Sequence, residues 1–365
     1  MDLKKYLAQR RDTFVQQARD VIDFSIFDFN HVPEKPLVRA EAKLIVDAFV
    51  RYEETGIPAN LVIFGARGSG KTLTVKYLDR LFTDDSTLKI LYANVRYYST
   101  SFKILAHLLR VSARGTSLAE LYTRFQQRFS SRTVVILDEV HLWAPKERQR
   151  ELLYFLSRDS RNYQVIMLSN DPRFLGEIDP SVRSSLQPEL VHFRNYNAPE
   201  IAHILDERAH RGLRHPDPSI TAYIAALTVK DTNADVRVAI KALFYWVTGE
   251  GHEVDVCFEY ARRDIYVDLV NDLSDTNLLI LKAATVLQKE NRFARKVFAA
   301  YRELARGLGE VDCSYVHFNN QLSYMQSLGL ILLLSTKVDR TYASKISILC
   351  REDVIGQVYA LRFET

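Results

Sequence analysis

The sequence is poor in cysteine and has no long apolar run. Its 365 residues include three cysteines, Cys257, Cys313 and Cys350, which are widely spaced and never form a CxxC pair. This pattern predicts reduced thiols and excludes a cysteine-rich zinc site or a disulfide framework. The longest apolar run, near Leu328–Leu334, is too short to cross a bilayer, and the first residues lack the apolar core of a secretory leader. We therefore expect a cytoplasmic protein with no membrane partner.

A strong excess of one charge is also missing. Lysine and arginine number 49 against 45 aspartates and glutamates, which gives a net charge of +4. Such a mildly basic chain permits a nucleic-acid partner without requiring one. The 47% apolar fraction is ordinary for a globular protein, and the length predicts two or three domains, each with its own core.

A glycine-rich loop that follows an apolar strand is the strongest signal in the chain. The apolar run Leu61–Phe64 leads into Gly65–Thr72, which matches GxxxxGK[ST], and Leu73–Phe82 then has a helical pattern. Strand, loop and helix together are the context that this phosphate-binding motif requires. Lys71 can reach the β- and γ-phosphates and the Thr72 hydroxyl can hold Mg²⁺, while loop N–H groups and the helix N-terminus attract the phosphates. The predicted nucleotide-binding residues of this loop are Gly65, Ala66, Arg67, Gly68, Ser69, Gly70, Lys71, Thr72 and Leu73.

Polar side chains follow two other predicted strands. Val134–Leu137 ends in Asp138, expected to hold Mg²⁺ with Thr72, and Glu139, expected to orient the water that attacks the γ-phosphate. Asn170 follows the next strand, and its amide can hydrogen-bond both the γ-phosphate and that water. Each position has a simpler reading: the acids could cap the next element, and Asn170 could start a turn. The glycine loop favours the catalytic interpretation, with Lys71, Glu139 and Asn170 as the catalytic residues.

Two arginines are candidates for sensing the nucleotide. Arg237 lies in a helical region and could reach the phosphates and report the nucleotide state. Arg183 follows the Asn170 strand and could project toward the nucleotide of a neighbouring subunit as an arginine finger. For both, a solvated position on a helix surface is an equally good reading of the residues alone.

The order of elements predicts three domains. Strands alternate with helices up to Pro199, which implies a parallel sheet covered on both faces. Four helices follow, at roughly 200–211, 218–228, 234–248 and 252–270. Three more helices, at about 276–289, 295–306 and 314–328, precede two apolar β-type runs, Leu330–Leu334 and Lys345–Leu349, joined by a polar link over 335–344. Three helices closed by a hairpin are typical of a winged helix-turn-helix. The predicted domains are 1–198, 199–270 and 271–365.

The last of those helices would be the recognition helix. Its core stripe is predicted as Phe318, Leu322, Met325 and Leu328, and its exposed side chains, among them His317 and Asn320, include no lysine or arginine. Base readout would therefore rest on hydrogen bonding or DNA shape. A winged helix that docks a protein also fits these residues. The basic side chains expected to hold phosphates near it are Arg292, Arg295, Lys296, Lys337, Arg340 and Lys345.

Taken together, these features resemble the archaeal initiators related to origin-recognition-complex subunit one and cell-division-control protein six. Those proteins are AAA+ ATPases, and the resemblance runs from about Val32 to the end of the chain. Pro33 with Arg39 is similar to the family's opening segment, so the resemblance adds Arg39 to the nucleotide-binding residues. The other matching motifs are Gly65–Thr72 and Val134–Glu139 as Walker A and B, Leu168–Asp171 as sensor one, Ile178–Leu186, Ala234–Arg237 as sensor two, and Leu328–Ile331.

The resemblance implies a fold, ligands and partners. The fold would be α/β, an AAA+ P-loop parallel sheet with an all-helical lid and a C-terminal winged-helix domain. ATP or ADP with Mg²⁺ would bind beneath the lid, and slow hydrolysis would act as a switch. The implied partners are double-stranded origin DNA, the MCM helicase and other initiator paralogues, at the nucleoid. In the family, helices between the second strand and Walker B touch DNA; here these are Thr100–Phe129, with Lys103, Arg110, Arg114, Arg124 and Arg128.

Three departures from the family pattern bear on function. Ser181 stands where the family has an arginine after Asp-Pro, so a trans-acting arginine would have to be Arg183 or is absent. His141 replaces an acid after Glu139, and Val338–Arg340 replaces the usual Gly-Arg-Gly tip. These differences suggest a diverged paralogue. Two alternatives are an ATP-sensing winged-helix transcriptional regulator and a nucleotide-binding scaffold whose winged helix docks protein.

Overall fold

The computed structural model describes residues 2–85, 87–112, 114–144, 147, 150–159, 162–171, 174–249, 253–338 and 341–364. They form two compact units. One, the sheet unit, comprises Val32–Gly65 and Ser69–Arg194, and the other, the helical unit, comprises Met1–His31, Ala66–Gly68 and Asn195–Thr365. None of the described helices is both long and apolar enough to span a membrane.

The helices of both units are α1 (Leu3–Gln17), α2 (Ala40–Thr55), α3 (Lys71–Asp85), α4 (Ser101–Leu109), α5 (Leu118–Arg128), α6 (Glu151–Arg158), α7 (Phe174–Glu177), α8 (Pro180–Leu186), α9 (Ala198–Gly212), α10 (Pro218–Asp231), α11 (Val236–Val247), α12 (Val254–Asn271), α13 (Asp275–Val286), α14 (Ala294–Gly307), α15 (Tyr315–Ser327) and α16 (Glu352–Phe363).

The sheet unit is built on five parallel strands. In spatial order they are β2 (Lys89–Asn94), β3 (Thr133–Asp138), β4 (Tyr163–Ser169), β1 (Leu61–Gly65) and β5 (Glu189–Phe193). Every described pairing between them is parallel, so all strands end at the same edge. Ligands of open α/β sheets bind at that edge, where β1, β3 and β4 end.

Both faces of this sheet are buried, as the alternation of strands and helices predicts. Alternate residues of β3 enter opposite cores. Leu137 packs in a cluster with Leu105 and Phe125 of α4 and α5, whereas Ile136 packs in a cluster with Phe49 of α2. Because β3 and β4 are buried along their whole length, each contains a continuous apolar run, Val134–Leu137 and Val165–Leu168, rather than alternating residues.

Two element boundaries differ from the prediction near the acidic pair. The apolar pattern from Val134 predicts a strand over Val134–Val140, but β3 ends at Asp138 because Glu139 has a left-handed backbone with φ 54°. A short 3₁₀ turn follows at Val140–Leu142. The sequence pattern also predicts a helix over Glu147–Leu156. The helix there is α6, which begins at Glu151 and ends at Arg158; residues 145–146 and 148–149 lie outside the described part of the chain.

The helical unit ends in three helices and an antiparallel hairpin, in the predicted order. The hairpin strands are β6 (Ile331–Val338) and β7 (Thr341–Ile348). The polar segment 335–344 was expected to be a link, yet Ser335 pairs with Ser344 and the ladder continues to Val338 and Thr341. A hairpin exposed to water tolerates polar side chains, so composition misplaced the turn. The sequence reading also missed α16, which closes the unit.

Candidate nucleotide-binding site

Glycine is required at three positions of the loop between β1 and α3. A Cβ on Gly65 would lie 2.3 Å from the carbonyl oxygen of Phe193 in the neighbouring strand. Gly68 and Gly70 have φ values of 73° and 90°, which side chains rarely tolerate. Because α3 starts at Lys71, the loop ends on a helix N-terminus, which attracts anions.

Lys71 is buried and held inside the loop. Its ammonium group donates to the Gly65 carbonyl oxygen at 2.7 Å and lies 3.4 Å from Ser69 Oγ. Only 7% of the residue is exposed. The loop backbone therefore fixes a positive charge where the motif predicts the phosphates.

Thr72 and Asp138 form a pair of oxygen ligands suited to Mg²⁺. Thr72 Oγ1 donates to Asp138 Oδ2 at 2.8 Å, and the carboxylate is 3% exposed. An octahedral Mg²⁺ with bonds of 2.0–2.1 Å places neighbouring ligand oxygens roughly 2.9 Å apart, so this pair fits two adjacent positions. Asp138 Oδ1 accepts from the Glu139 N–H at 2.8 Å, which fixes the carboxylate plane.

Tyr92 is a member of the site that the sequence reading missed. Its hydroxyl donates to the same Asp138 Oδ2 at 2.8 Å, from the neighbouring strand β2. Burial and then the charge of Asp138 raise the pKa of Tyr92, so the phenol stays a neutral donor. A prediction of the strand order would have revealed this contact, because only the adjacency of β2 and β3 brings Tyr92 and Asp138 together.

Glu139 and Asn170 follow the ends of β3 and β4, which are neighbours in the sheet. Glu139 is half-buried, and its left-handed backbone is a conformation that costs energy and clusters at functional sites. Asn170 is 9% exposed, and its N–H donates to Nδ1 of His141 at 3.4 Å. The structure thus brings Asp138, Glu139 and Asn170 to one edge, and His141 supports the backbone of Asn170.

Arg39 holds the loop through its backbone. The residue is 5% exposed, and its guanidinium donates to the Ser69 carbonyl oxygen at 3.0 Å and to that of Arg194 at 2.7 Å. It also forms an ion pair with Glu41 at 2.8 Å. The predicted nucleotide contact of Arg39 stays a prediction; what the geometry gives it is the task of fixing the Ser69 end of the loop.

Arg237 is paired with Asp235 inside the helical unit. Arg237 Nε donates to Asp235 Oδ1 at 2.8 Å, and a terminal nitrogen contacts Oδ2. Burial alone would raise the pKa of Asp235, but the charge and hydrogen bonds of Arg237 outweigh it and lower that pKa. Asp235 also packs against the loop tip, since a Cβ on Gly68 would lie 2.3 Å from its Oδ1. Asp235 thus remains an anion that fixes Arg237 beside the loop tip.

The basic residues predicted to bind DNA are mostly exposed. Arg110 ends α4 in a left-handed conformation with φ 54°. Arg183, which was predicted as an arginine finger and not as a DNA contact, is an exposed residue of α8. On α15, His317 Nε2 lies 3.0 Å from Nε2 of Gln321. Arg340 and the side chain of Lys337 lie outside the described residues. The other exposed residues of the predicted DNA-binding set are Arg114, Arg295, Lys296, His317 and Asn320.

Arg292 was expected to hold DNA phosphates, but it is buried and bonded to other residues of this chain. Its guanidinium donates to the Leu287 carbonyl oxygen at 3.1 Å and to Glu352 at 2.7 Å. Only 6% of the side chain is exposed. Glu352 belongs to α16, so the helix that the sequence reading missed supplies the partner that takes Arg292 away from solvent.

The chain is similar in sequence to a known family and to known proteins. The family described as AAA domain matches residues 58–171. An ORC1-type DNA replication protein of Desulfurococcus amylolyticus is 27% identical over 308 residues, 75% of this chain and 77% of the relative. An ORC1-type DNA replication protein 1 of Sulfurisphaera tokodaii is 28% identical over 336 residues, 83% of each chain.

Solved structures with the same fold span nearly the whole chain. The Aeropyrum pernix ORC1 protein in complex with DNA has a TM-score of 0.68 and 21% identity, and covers 95% of this chain and 98% of its own. The Aeropyrum pernix ORC2 protein in ADPNP–ADP complexes has the same TM-score and identity, covering 95% and 100%. The predicted α/β AAA+ fold is confirmed.

Proposed function

Because the chain resembles Orc1/Cdc6-type AAA+ initiators along most of its length, we propose that it is an ATP-dependent DNA replication initiator that binds double-stranded origin DNA. The observation that carries the nucleotide half of this proposal is the partly buried Thr72–Asp138 hydrogen bond beside Lys71, at 2.8 Å between Oγ1 and Oδ2. The DNA half is supported by the relatives' names and by the Aeropyrum pernix ORC1 structure in complex with DNA.

The residues of the sheet unit have distinct tasks in ATP binding and hydrolysis. Lys71 neutralises the β- and γ-phosphates, and Thr72 and Asp138 supply oxygen ligands for Mg²⁺, which would screen the phosphate charge. Glu139 orients the attacking water and accepts its proton, while the amide of Asn170 fixes the water and the γ-phosphate. Arg39 and Tyr92 hold the loop and the carboxylate in place. Arg237 as a reporter of the nucleotide state and Arg183 as an arginine finger stay predictions.

Hydrolysis in this proposal is slow and works as a switch. ATP-bound and ADP-bound forms would differ in affinity for DNA and for the MCM helicase, since a ligand shifts an equilibrium only by its differential affinity for two states. The Aeropyrum pernix ORC2 protein was solved with ADPNP and ADP, which supports binding of both nucleotide forms. Recruitment of the helicase and pairing with initiator paralogues are further parts of the proposal.

The C-terminal helices and hairpin would hold the duplex. We assign 1–198 to the AAA+ domain, 199–270 to the lid and 271–365 to a winged-helix domain. α15 presents neutral polar side chains, so it would read bases by hydrogen bonds, while Arg295 and Lys296 on α14 are exposed for phosphate contacts. The balanced charge of the chain favours shape and hydrogen bonding over a large electrostatic term.

DNA footprinting with Mg²⁺-ATP tests the proposal. The purified protein is applied to its own replication origins and to promoter fragments across a salt series. We expect protection of a discrete origin element that weakens as salt rises. Protection of promoters alone would favour the ATP-sensing transcriptional regulator. Absence of salt-sensitive protection on any DNA would favour the scaffold whose C-terminal domain docks protein.

A further inference from the structure

A recessed cavity in the helical unit is lined mostly by cationic side chains. It lies among α12, a 3₁₀ turn at Lys289–Asn291, strand β7 and the start of α16. Its volume is about 470 Å³, within the range of ligand sites. The described residues of α15 take no part in the lining. The charged side chains of the described lining are Arg262, Lys289, Arg292, Lys345, Arg351 and Glu352.

Two arginines form the inner wall of this cavity and are fixed by protein contacts. Arg262 donates to the Leu349 carbonyl oxygen at 2.6 Å and to Glu259 at 3.2 Å. Arg292 donates to Glu352 at 2.7 Å. Their side chains are 18% and 6% exposed, so this positive charge lies inside the cavity rather than on its rim. A fixed cation that is partly shielded from water attracts an anion more strongly than a cation in open solvent does.

Two lysines of the cavity have no such partner. Lys289 is exposed and Lys345 is half-buried, and neither ammonium group is bonded to another described residue. Lys345 and Ser347 alternate with the buried Ile346 along β7. The side chains of Lys345 and Ser347 therefore share one face of the strand, and both residues line the cavity. The two ammonium groups and the serine hydroxyl are donors that a ligand can use.

The start of α16 also borders the cavity. Cys350, Arg351 and Glu352 contribute to the lining, so the positive N-terminal end of a twelve-residue helix lies beside it. Burial raises the pKa of Cys350 to about 12, which keeps its thiol neutral. The nearby acids Glu259 and Asp353 lie outside the described lining and are bonded to arginines, Asp353 to Arg351 at 2.9 Å. The charges left unbalanced at the cavity are therefore those of the two lysines.

We propose that this cavity binds a small phosphorylated compound. Because each of the three arginines is paired with an acid, the positive charges of Lys289 and Lys345 remain for a ligand, and a phosphate group carries almost two negative charges near pH 7. The two lysines would neutralise the phosphoryl oxygens, and the Ser347 hydroxyl would donate to one of them. A single carboxylate would leave one lysine unbalanced. A DNA duplex is convex and would not reach the buried Arg262 and Arg292.

A ligand in this cavity would tie the base of the hairpin to its surroundings. Lys345 belongs to β7, whereas Lys289 belongs to the turn before α14. The two segments already touch, since Ile346 N–H donates to the Arg292 carbonyl oxygen at 2.8 Å. A phosphate held by both lysines would reinforce that contact. Such a compound would bind whether or not the chain is an initiator.

Calorimetric titration of the full chain with inorganic pyrophosphate, in magnesium-free buffer, tests the inference. The chain carries Lys71→Ala, which removes the phosphate loop as a competing site. We expect one pyrophosphate per chain. In this background Lys345→Ala should weaken binding roughly 10- to 150-fold, the loss of a hydrogen bond to a charged group, while Lys345→Arg should retain most of the affinity. Lys230→Ala, at an exposed lysine of α10 in the same unit, is the matched control and should change nothing.

Glu352→Gln tests the inference in the opposite direction. It removes the acid of the described lining and keeps an oxygen acceptor for Arg292, so pyrophosphate should bind several-fold more tightly. A cluster of cations with a purely structural role would not produce this gain.

Three outcomes would overturn the inference. One is absence of pyrophosphate binding by the Lys71→Ala chain. Another is an affinity that Lys289→Ala with Lys345→Ala leaves unchanged, with melting by circular dichroism showing that the variant is folded. The third is an equal loss of pyrophosphate and duplex affinity in that double variant, since the two lysines would then be a DNA contact. Footprinting of origins tests the proposed function separately, because pyrophosphate binding without origin protection would refute only the initiator.

Discussion

The phosphate loop and the exposed face of α15 are both proposed to meet phosphate-bearing ligands, yet they are built in opposite ways. In the loop, Lys71 and Asp138 are buried and bonded to protein atoms at fixed distances. On α15, polar side chains are exposed and hydrogen-bond along their own helix, as Asn319 does to the Tyr315 carbonyl oxygen at 3.0 Å. A rigid loop suits the phosphate groups that all nucleotides share. Side chains that can change hydrogen-bond partners suit the varied bases of a DNA sequence.

The largest loss of activity should come from substitutions at the rigid nucleotide site. Lys71→Ala should abolish nucleotide binding and turnover, while Glu139→Gln should lower turnover by a factor of about 10² to 10⁴ and keep the nucleotide bound. Phosphate release together with binding of a fluorescent ATP analogue measures both. Glu303→Gln, an exposed glutamate of α14, is the matched control. Normal turnover in Glu139→Gln would remove its assigned role.

A substitution at the loop tip should be costly for steric reasons. Gly68→Ala combines a φ of 73° with a Cβ that would lie 2.3 Å from Asp235 Oδ1, so we expect a loss of about 2–4 kcal/mol in the free energy of unfolding. Gly309→Ala separates the two causes, because Gly309 has the same φ of 73° and no neighbour within 4 Å. It should lose only about 1 kcal/mol. Urea unfolding of both variants decides; equal losses would show that the contact with Asp235 is unimportant.

Two basic residues near α14 sharpen the comparison between buried and exposed charge. Arg292→Ala removes a guanidinium bonded to Leu287 and Glu352 and should lower stability by about 2–3 kcal/mol. Lys296→Ala should change stability by no more than about 0.5 kcal/mol but reduce the salt slope of duplex binding by about 0.9. Thermal melting and binding across a salt series measure the pair. A stable Arg292→Ala protein with weakened DNA binding would reverse these assignments.

The smallest effect should come from the hydroxyl of Tyr92. Tyr92→Phe keeps the ring and removes one donor from Asp138 Oδ2, so we expect a loss of about 1 kcal/mol in stability and up to roughly fivefold in Mg²⁺-ATP affinity. Tyr77→Phe on α3 serves as the control, since no hydrogen bond of its hydroxyl to another described residue is present. Magnesium titration at fixed ATP is the measurement. A Tyr92→Phe protein indistinguishable from the parent would mean that Thr72 and the backbone suffice to orient Asp138.

Features carried by contiguous residues were predictable from the sequence. The glycine loop, the apolar strand that carries Asp138 and the core stripe of α15 each depend on spacing within one segment, and all are present. Asn170 follows the end of β4, the strand beside the one that carries Asp138, as its position one strand further along the chain predicts. Local patterns succeed here because backbone geometry alone decides which residues share a face or an edge.

The features that the sequence did not predict depend on contacts between residues that are distant in the chain. Tyr92 meets Asp138 only because β2 is placed beside β3, and Arg292 is buried only because α16 brings Glu352 to it. The hairpin was predicted too short because its polar residues were expected to form a link. Instead, Ser335–Val338 pair with Thr341–Ser344 and continue the two strands. Arg39 follows the same rule: besides Glu41, it binds the backbone carbonyls of Ser69 and Arg194, and no pattern of side chains reveals those two contacts.

Because the hairpin is long, a small rotation at its base displaces its far end. Its eight paired positions, from Ile331–Ile348 to Val338–Thr341, extend roughly 25 Å at the usual rise of a strand. The base is clamped, because Leu349 N–H bonds the Leu330 carbonyl oxygen at 2.9 Å and Lys345 bridges to Phe293. A rotation of about 10° at that base would carry the far end through roughly 4 Å, a third of the width of a major groove. In the proposed complex with DNA, a small adjustment near α14 would therefore change which base pair the far end reaches.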